Sequence, residues 1–418
     1  MIKKIRSAVT RTAVGTALVV AAVACSDKFV EVTNPNVIDA ATVDPTSGAT
    51  TLALSAQQNY ATALGWLAMY GGWFTEEANV SDTFPTRNEF GFRLISDLNG
   101  SLQTDVWAPI SLAAASAKAV LDLTLPNPTS NINIARAATF RGFSILQISN
   151  DFCTGSLSSG PELTTAQMLD SAIVWFTKGV DVGKANASTD GIALANAALV
   201  GRARAKLQKG DKAGAAADAA LVPAGFVFNL QMTDDLTNRT RLSNRLYQFT
   251  FDRASISVAP WYRTGDPRVP IIAPGQTGAL NGQDAVPGGF FRQTKFNAYA
   301  APLRLASRLE ADYIAAEAGD ATAQLALIAA RRTANGQAAY AGATDAASVM
   351  AELYNQRAFE FYLEGKRVAD FRRSPASVKS MTAAGGVYLK PGYANVGTQT
   401  CYPLPRAERD NNPNFPKS

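Results

Sequence analysis

Apolar side chains recur at spacings of three and four along much of the chain, which is the pattern of amphipathic helices. The N-terminal part carries three such stretches, Thr46–Leu67, Leu102–Leu123 and Asn133–Ser149. A fourth begins with Thr164 and Gln167, which have the spacing of a capping box. We therefore expect a bundle of helices before the middle of the chain.

The most regular pattern runs from Gly191 to Val222. An apolar stripe of mostly small residues is interrupted at Gly210 and Asp211, and an alanine-rich stretch then continues to Pro223. Small residues allow neighbouring helices to approach closely. The pattern predicts a helical hairpin of tetratricopeptide type, although the full tetratricopeptide consensus is absent.

The pattern changes after residue 225. From 226 to 300, Gly, Pro, Asn and Asp recur without long helical periodicity, which predicts irregular loops with short strands. Helices are predicted again over Pro302–Ala334 and Thr344–Glu364, and the Pro- and Asn-rich tail Tyr393–Ser418 should be extended. We expect one mostly α-helical domain over 46–418, with a helical part at 46–225 and a C-terminal part with its tail at 301–418.

The stretch from Arg357 to Arg373 combines charges and aromatic rings in an unusual way. On a helix, Arg357, Glu360 and Glu364 share one face, and aromatic side chains flank that face on both sides. A solvent-exposed helix would not normally surround its charges with aromatics. The pattern predicts a helix enclosed by protein, with its charges paired, that ends or turns at Gly365.

The N-terminus has the features of an export signal. Basic residues precede the apolar stretch Thr12–Ala24, which is too short to span a bilayer and ends in small residues directly before Cys25. This ending resembles a bacterial lipobox, in which the cysteine is lipidated. We expect a signal peptide at 1–24, lipidation at Cys25 and a tether at 25–45, the alternative being a freely secreted protein in which Cys25 is incidental.

Composition excludes several classes of site. The 418 residues are 47% hydrophobic and include no histidine, which removes serine–histidine–aspartate triads, imidazole bases and histidine-containing zinc motifs. We expect no cofactor, no metal site and no catalytic residue. The first 24 residues hold four bases and no acid, so their removal lowers the formal charge from +5 to +1 (5 − 4 = 1). A nearly neutral protein has no electrostatic footprint for nucleic acid.

Besides Cys25, the chain has two cysteines, Cys153 and Cys401. Export would permit a disulfide that ties the N-terminal half to the C-terminal tail. Two buried free thiols are equally compatible with the sequence, because pairing cannot be read from it.

Three segments of the chain resemble motifs of the SusD/RagB family of outer-membrane nutrient-binding lipoproteins. Arg308 to Ala318 is similar to the family's "R-x-E-x-x-L-x-x-A-E-A" helix. Arg357 to Arg372 matches its "R-x-x-E-x-x-x-E-G-x-R-x-x-D-x-x-R" segment, with Gln356 in place of the Glu that usually precedes it. Pro403 to Pro413 is similar to its "P-x-P-x-x-E…N-P" ending, and the lipobox agrees with the family.

The resemblance implies a mostly α-helical fold with tetratricopeptide-like hairpins and a loop-rich ligand-binding region. It implies a cell-surface lipoprotein of the outer membrane that captures glycans and passes them to a SusC-like TonB-dependent transporter. Two alternatives stay open, namely a peptide-binding member of the same family and a tetratricopeptide-like scaffold that binds only proteins. A two-carboxylate glycosidase needs only Asp and Glu and is a third.

The charged residues of the motifs are interpreted as a buried ion-pair network rather than as a catalytic pair. Nearby arginines would hold the acids ionised, whereas a general acid needs a raised pKa. The predicted network consists of Arg308, Glu310, Glu317, Arg357, Glu360, Glu364, Arg367 and Asp370.

Ligand-binding residues are expected among aromatics on loops, because a flat ring can pack against the apolar face of a sugar. One candidate cluster follows the first helix and the other lies in the irregular region. The predicted binding residues are Tyr70, Trp73, Phe74, Asp82 and Asn88 in the first, and Trp261, Tyr262 and Arg263 in the second. The alternative is that these aromatics fill the core.

Overall fold

Helices form most of the fold, as the spacing of apolar residues predicts. The computed structural model describes residues 48–284, 286 and 288–415. The predicted signal peptide, Cys25 and the tether at 25–45 lie outside the described residues. Residues Pro45–Ser418 belong to one compact unit.

The α-helices of the described part are α1 (Gly48–Phe74), α2 (Pro85–Gly91), α3 (Ala108–Leu121), α4 (Ile132–Asp151), α5 (Thr165–Asn186), α6 (Thr189–Lys209), α7 (Lys212–Ala220), α8 (Arg239–Leu242), α9 (Arg245–Phe251), α10 (Arg308–Ala318), α11 (Ala321–Ala334), α12 (Ala346–Glu360), α13 (Arg367–Arg373) and α14 (Arg406–Asn411). A π-helical turn, Leu102–Trp107, leads into α3, and a 3₁₀ turn spans Pro260–Tyr262.

The strands are short and pair antiparallel. They are β1 (Ala78–Val80), β2 (Thr154–Gly155), β3 (Leu163–Thr164), β4 (Val227–Leu230), β5 (Ile256–Val258), β6 (Ile271–Ile272), β7 (Arg292–Gln293) and β8 (Leu303–Ser307). One sheet has the order β1-β5-β7-β6, and its register pairs Asn79 with Ser257 and Ser257 with Arg292. Two further pairs are β2-β3 and β4-β8.

The predicted helical hairpin is confirmed at α6 and α7. Ser188 caps α6 by accepting a hydrogen bond from the backbone N–H of Gly191. The helix ends at Gly210, whose φ of +91° is a left-handed conformation that glycine adopts without steric cost. Asp211 then caps α7 through the N–H of Gly214. The predicted capping box of Thr164 and Gln167 is also formed, at the start of α5.

Three predicted element boundaries are corrected. Leu303–Ser307 forms strand β8 rather than helix, and its last residue, Ser307, caps α10 through the N–H of Glu310. The irregular region contains the short helices α8 and α9, and the predicted extended tail contains α14. In each case the segment is short, so its secondary structure depends on packing against the rest of the fold and cannot be predicted from hydrophobic periodicity.

The core is one large apolar cluster with a smaller one beside it. The smaller cluster joins α10, α11 and α12 and consists of Tyr313, Ala316, Ile328, Val349, Leu353 and Phe361. Trp107 is buried in the large cluster, whereas Trp66 and Trp175 are only half-buried at its edge.

Cys153 and Cys401 form a disulfide, which decides the question that the sequence left open. Their Cα atoms are 5.1 Å apart although they are separated by 248 positions in the chain. Backbone hydrogen bonds support the junction, since the N–H of Cys153 donates to the carbonyl of Tyr402 and the N–H of Tyr402 donates to the carbonyl of Asp151. The disulfide thereby holds the C-terminal tail against the end of α4.

Most charged residues of the motifs are buried and paired, and several of their partners lie outside the predicted network. Arg357 pairs with Asp370 at 2.8 Å, and Glu317 pairs with Arg373 at 2.6 Å. Glu310 pairs with Arg204, a residue of α6 outside the three motif segments. The acids of the motifs therefore tie the C-terminal helices to the N-terminal hairpin.

Glu360 and Glu364 pair with bases contributed by other parts of the chain. Glu360 contacts Arg268 at 3.4 Å and Arg331 at 3.1 Å. The partners of Glu364 are Lys295, Arg304 and Lys366, at distances of 2.9, 2.8 and 3.2 Å. Burial would raise the pKa of Glu364, but these three cations outweigh it and lower the pKa far below its usual range.

Arg308 and Arg367 depart from the predicted network. Arg308 forms a half-exposed pair with Asp312 one helical turn away, so it is not part of the buried network. Arg367 is buried, but it donates to backbone carbonyls rather than to a carboxylate. Both arginines belong to the motif segments and are therefore predicted to pair with the acids, but their side chains donate to backbone carbonyls of Val222, Thr75 and Ser380.

Candidate functional site

Trp261 is the predicted binding aromatic that the structure places at the surface. Its side chain is 45% exposed, and it stands on the 3₁₀ turn that follows β5. Pro260 begins this turn, where its fixed φ is favourable. The next residue, Tyr262, points into the core, so the turn directs its two aromatic side chains to opposite sides.

A cleft of about 230 Å³ opens beside Trp261. One wall comes from the end of α1 and from β1, and the other from the tail segment 382–389. The lining residues are Glu76, Asn79, Pro260, Trp261, Thr382, Val387, Tyr388 and Leu389. Val387 is 80% exposed, so the cleft has an apolar rim facing solvent.

Glu76 fixes the orientation of the indole ring. Its Oε2 atom accepts hydrogen bonds from Trp261 Nε1 at 3.1 Å and from Thr382 Oγ1 at 2.9 Å. Its Oε1 atom accepts from the backbone N–H of Thr382 at 2.8 Å. Because the edge of the indole is held in this way, one of its faces can stay available to a ligand without loss of side-chain entropy on binding.

Asn79 supplies a hydrogen-bond donor that has no partner. The residue is 8% exposed and lines the cleft, and its Nδ2 atom is buried without a hydrogen bond in the described part of the chain. A buried amide usually finds a partner, because leaving it unpaired costs free energy. A ligand hydroxyl or carbonyl in the cleft would satisfy it.

The cleft wall formed by residues 382–389 packs against α2 and the residues that flank it. Tyr388 packs edge-on against Phe92 at 5.6 Å, and a Cβ atom on Gly91 would lie 2.3 Å from its hydroxyl, so glycine is needed there for this close approach. Burial raises the pKa of Tyr388 well above its usual value. Lys390 donates to the carbonyl of Asp82 at 2.7 Å and to Asn88 Oδ1 at 2.9 Å.

The aromatic residues of the first predicted cluster lie in the core rather than at the surface. The side chains of Tyr70, Trp73 and Phe74 are fully buried, since α1 continues through them and carries them into the core. The sequence predicts loop residues here, but the helix continues to Phe74. Their burial leaves them no contact with a surface ligand.

Asp82 and Asn88 are also buried. Asp82 pairs with Arg87 at 2.7 Å, and Asn88 accepts from Lys390, so both residues support the cleft wall instead of facing the ligand. Tyr262 packs on Phe359 and Tyr362 in the core, at 5.1 and 5.0 Å. These three predictions of direct contact are corrected by the burial of the side chains.

Arg263 is half-buried, and its guanidinium lies over the ring of Phe291 at 3.7 Å. It is not among the residues that line the cleft. The structure thus keeps Trp261 at the site and replaces the other predicted residues with Glu76, Asn79, Thr382 and Tyr388. The last two come from a tail more than 100 positions away, and no local pattern in the sequence connects them with Trp261.

The described part of the chain lacks two kinds of feature, a membrane-spanning helix and a metal-binding cluster. None of the helices is long and apolar enough to cross a bilayer. Within the described ranges, no group of three or more acidic or cysteine side chains is arranged to hold a metal ion.

Solved structures show which fold this is. A putative sugar-binding protein from Bacteroides vulgatus superposes with a TM-score of 0.65, with 14% identity over 90% of this chain and 98% of the other. The chain has a SusD-like fold. A SusD superfamily protein from Bacteroides fragilis gives a TM-score of 0.63, with 13% identity over 90% of this chain and 99% of the other.

A further neighbour was solved with a sugar. The surface glycan-binding protein A of Bacteroides thetaiotaomicron, in complex with laminarihexaose, has a TM-score of 0.58 and 12% identity over 88% of this chain and 98% of its own. No protein-family model matches the chain, and no curated protein matches its sequence. The SusD-like architecture predicted from the three motifs is confirmed by the fold.

Proposed function

We propose that this SusD-like protein captures oligosaccharides in the Trp261 cleft and is not an enzyme. The observation that carries the proposal is the indole of Trp261, held at its edge by Glu76 beside the unpartnered amide of Asn79. A sugar ring would pack on the exposed indole face, while its hydroxyl groups would bind the amide and the carboxylate.

The structural neighbours support this class of ligand. The neighbour from Bacteroides thetaiotaomicron was solved with laminarihexaose, and another is a laminarin-binding SusD-like protein. At 12–13% identity these neighbours share the fold, and their ligands do not transfer residue by residue. The ligand class of this chain rests on the cleft itself.

The pairing of the acids supports a binding role rather than hydrolysis. Each of the four acids that a glycosidase reading would use, Glu310, Glu317, Glu360 and Glu364, lies in a salt bridge with a base. Burial alone would raise the pKa of Glu310, but Arg204 and Lys366 lower it below its usual range. A general acid needs the opposite shift.

The proposed location and partner rest on the resemblance of the three motif segments and the lipobox to the SusD/RagB family. A lipid on Cys25 would anchor the protein to the outer membrane, with the described fold facing the cell surface. There it would pass its ligand to a SusC-like TonB-dependent transporter. Purification of the tagged protein from its native outer membrane in mild detergent tests this partnership.

A large β-barrel protein with a TonB-dependent plug, recovered in stoichiometric amount, is the expected result of that purification. Recovery of the protein alone, or with soluble partners only, would count against the transporter and favour a scaffold. Ligand class is tested separately, by following tryptophan fluorescence on addition of laminarihexaose, a panel of other oligosaccharides, or a mixture of short peptides. If the fluorescence changed only with peptides, the ligand of the cleft would be a peptide and not a glycan.

A further inference from the structure

Another cavity, of about 330 Å³, is lined in part by residues 377–380, which directly precede the segment 382–389 that walls the Trp261 cleft. It is bounded by the first half of α12, by the loop at Tyr340 and by residues 377–380. The groups that matter for its chemistry are Ser348, Glu352, Arg367, Lys379 and Ser380.

Arg367 is a buried cation that forms no salt bridge within the described residues, although its charge acts on the buried carboxyl of Glu77 and opposes the rise in the pKa of that group. The residue is 5% exposed, and its guanidinium donates to the carbonyl oxygens of Thr75 and Ser380 at 3.4 Å each. Among the residues that the structure describes, no carboxylate lies within ion-pair distance of it, in contrast to Arg357 and Arg373 nearby. A buried charge normally needs such a partner, because desolvation is expensive.

The rest of the cavity adds positive charge and donors. Lys379 is exposed at the rim and forms no ion pair within the described ranges. Glu352 is the acid of the lining, but its Oε1 atom already accepts from Arg332 at 2.6 Å and from Gln356 at 2.8 Å. The local charge is therefore positive.

We propose that this cavity binds a compact oxyanion. The planar guanidinium of Arg367 matches the geometry of a carboxylate or phosphate, and the ammonium of Lys379 would close the site from the rim. The hydroxyls of Ser348 and Ser380 line the same space and can donate further hydrogen bonds. The ligand would be either the carboxylate of an acidic sugar or a free phosphate ion.

This oxyanion site is separate from the Trp261 cleft. Residues 377–380 line the former, and residues 382–389 line the latter, with no lining residue in common. The inference therefore does not depend on oligosaccharide binding at Trp261.

Isothermal titration of the mature protein with sodium glucuronate, inorganic phosphate and glucose tests the site. We expect one or both oxyanions to bind with one site per chain, more weakly as salt is added, and neutral glucose to give no heat from this cavity. Lys379→Gln should weaken oxyanion binding about tenfold, since a hydrogen bond to a charged group is lost. Lys379→Arg keeps the charge and should bind like the wild type.

Ser348→Glu provides a second variant that should fold normally. It adds an acid to the first turn of α12, where the helix dipole favours negative charge, and it places that charge against the oxyanion. Loss of binding in Ser348→Glu with an unchanged melting temperature supports the site, and Trp261→Ala should leave oxyanion binding unchanged. The proposal would be overturned if neither anion bound to the wild type. It would also be overturned if Lys379→Gln and Ser348→Glu both bound the anion with wild-type affinity.

Discussion

The carboxylate of Glu76 and the indole of Trp261 are joined by a hydrogen bond of 3.1 Å. Glu76 precedes β1 and Trp261 follows β5, and because these strands pair antiparallel, with Ala78 opposite Val258, both residues lie at the same end of the pair. The same carboxylate also binds Thr382 of the tail. One acidic side chain therefore sets the geometry of both walls of the cleft.

Replacement of Glu76 by Ala should weaken oligosaccharide binding about tenfold, because the indole loses its fixed orientation and the tail wall loses two hydrogen bonds. Titration calorimetry with the best-binding oligosaccharide of the panel measures the effect. Glu89→Ala is the matched control, since Glu89 lies in α2 and does not line the cleft. Unchanged affinity in Glu76→Ala would show that Trp261 binds the oligosaccharide without the hydrogen bond from its indole N–H to Glu76.

Glu364→Ala should destabilise the protein by about 3–5 kcal/mol, because it leaves buried cations without their partner. Lys366 is the most affected of them, since its side chain is 3% exposed and burial already lowers its pKa to about 8. Urea unfolding measures the free energy. Arg308→Ala, which breaks the half-exposed pair with Asp312 and a hydrogen bond to the carbonyl of Val222, should cost no more than about 2 kcal/mol.

A loss in Glu364→Ala as small as that in Arg308→Ala would refute the buried network as a source of stability. The loss in the free energy of unfolding of Glu360→Ala should lie between the losses of Glu364→Ala and Arg308→Ala. Of its partners, Arg268 keeps Asp266 at 2.7 Å, and the Arg331 side chain is 23% exposed.

Asp151 should make the protein less stable as the pH rises. Burial raises its pKa from 3.8 to about 7, against the smaller opposing effects of Gln147 and Arg372. The folded protein thus holds this proton to a higher pH than the unfolded chain, so the free energy of unfolding should fall between about pH 4 and pH 7. Glu77, whose pKa burial also raises to about 7, acts in the same direction.

Asp151→Asn keeps the neutral form at every pH and should be more stable than the wild type at about pH 8, with a smaller difference at about pH 5. Denaturation midpoints at the two pH values measure this. Asp170→Asn, at an exposed position of α5, should change neither midpoint appreciably. If Asp151→Asn were less stable at the higher pH, the carboxyl would instead be ionised and paired in the folded protein.

Reduction of the Cys153–Cys401 disulfide should cost about 2–5 kcal/mol, because it frees the tail from α4 in the unfolded chain. Melting temperatures with and without a thiol reductant measure the loss. In the variant that carries both Cys153→Ala and Cys401→Ala, the reductant should have no effect. A wild-type melting temperature insensitive to full reduction would indicate that the backbone bonds at Tyr402 suffice.

Long periodic stretches could be predicted from the sequence because each helix buries a regular apolar stripe. The hairpin α6–α7 and the capping box of α5 follow the prediction closely. Short elements could not be predicted in the same way. Leu303–Ser307 becomes a strand because it pairs with β4, a contact made by residues more than 70 positions away.

The site was harder to predict, since a ring's exposure depends on where its helix ends. Trp73 and Trp261 both lie beside glycine- or proline-containing turns in the sequence, yet α1 carries the first into the core and the 3₁₀ turn holds the second at the surface. The partners of the ion pairs could not be predicted from the sequence either. Helical spacing brings Arg357 and Glu360 together, but the partners they use, Asp370 and Arg268, come from other elements.

Oligosaccharide binding by Trp261→Ala tests the central claim most directly. Trp175→Ala serves as its control, because Trp175 is a half-buried tryptophan on α5 that does not line the cleft. Titration calorimetry with the best oligosaccharide of the panel should show binding by the wild type and by Trp175→Ala, and none by Trp261→Ala at an unchanged melting temperature. Wild-type affinity in Trp261→Ala would contradict the account and place the ligand elsewhere on the protein.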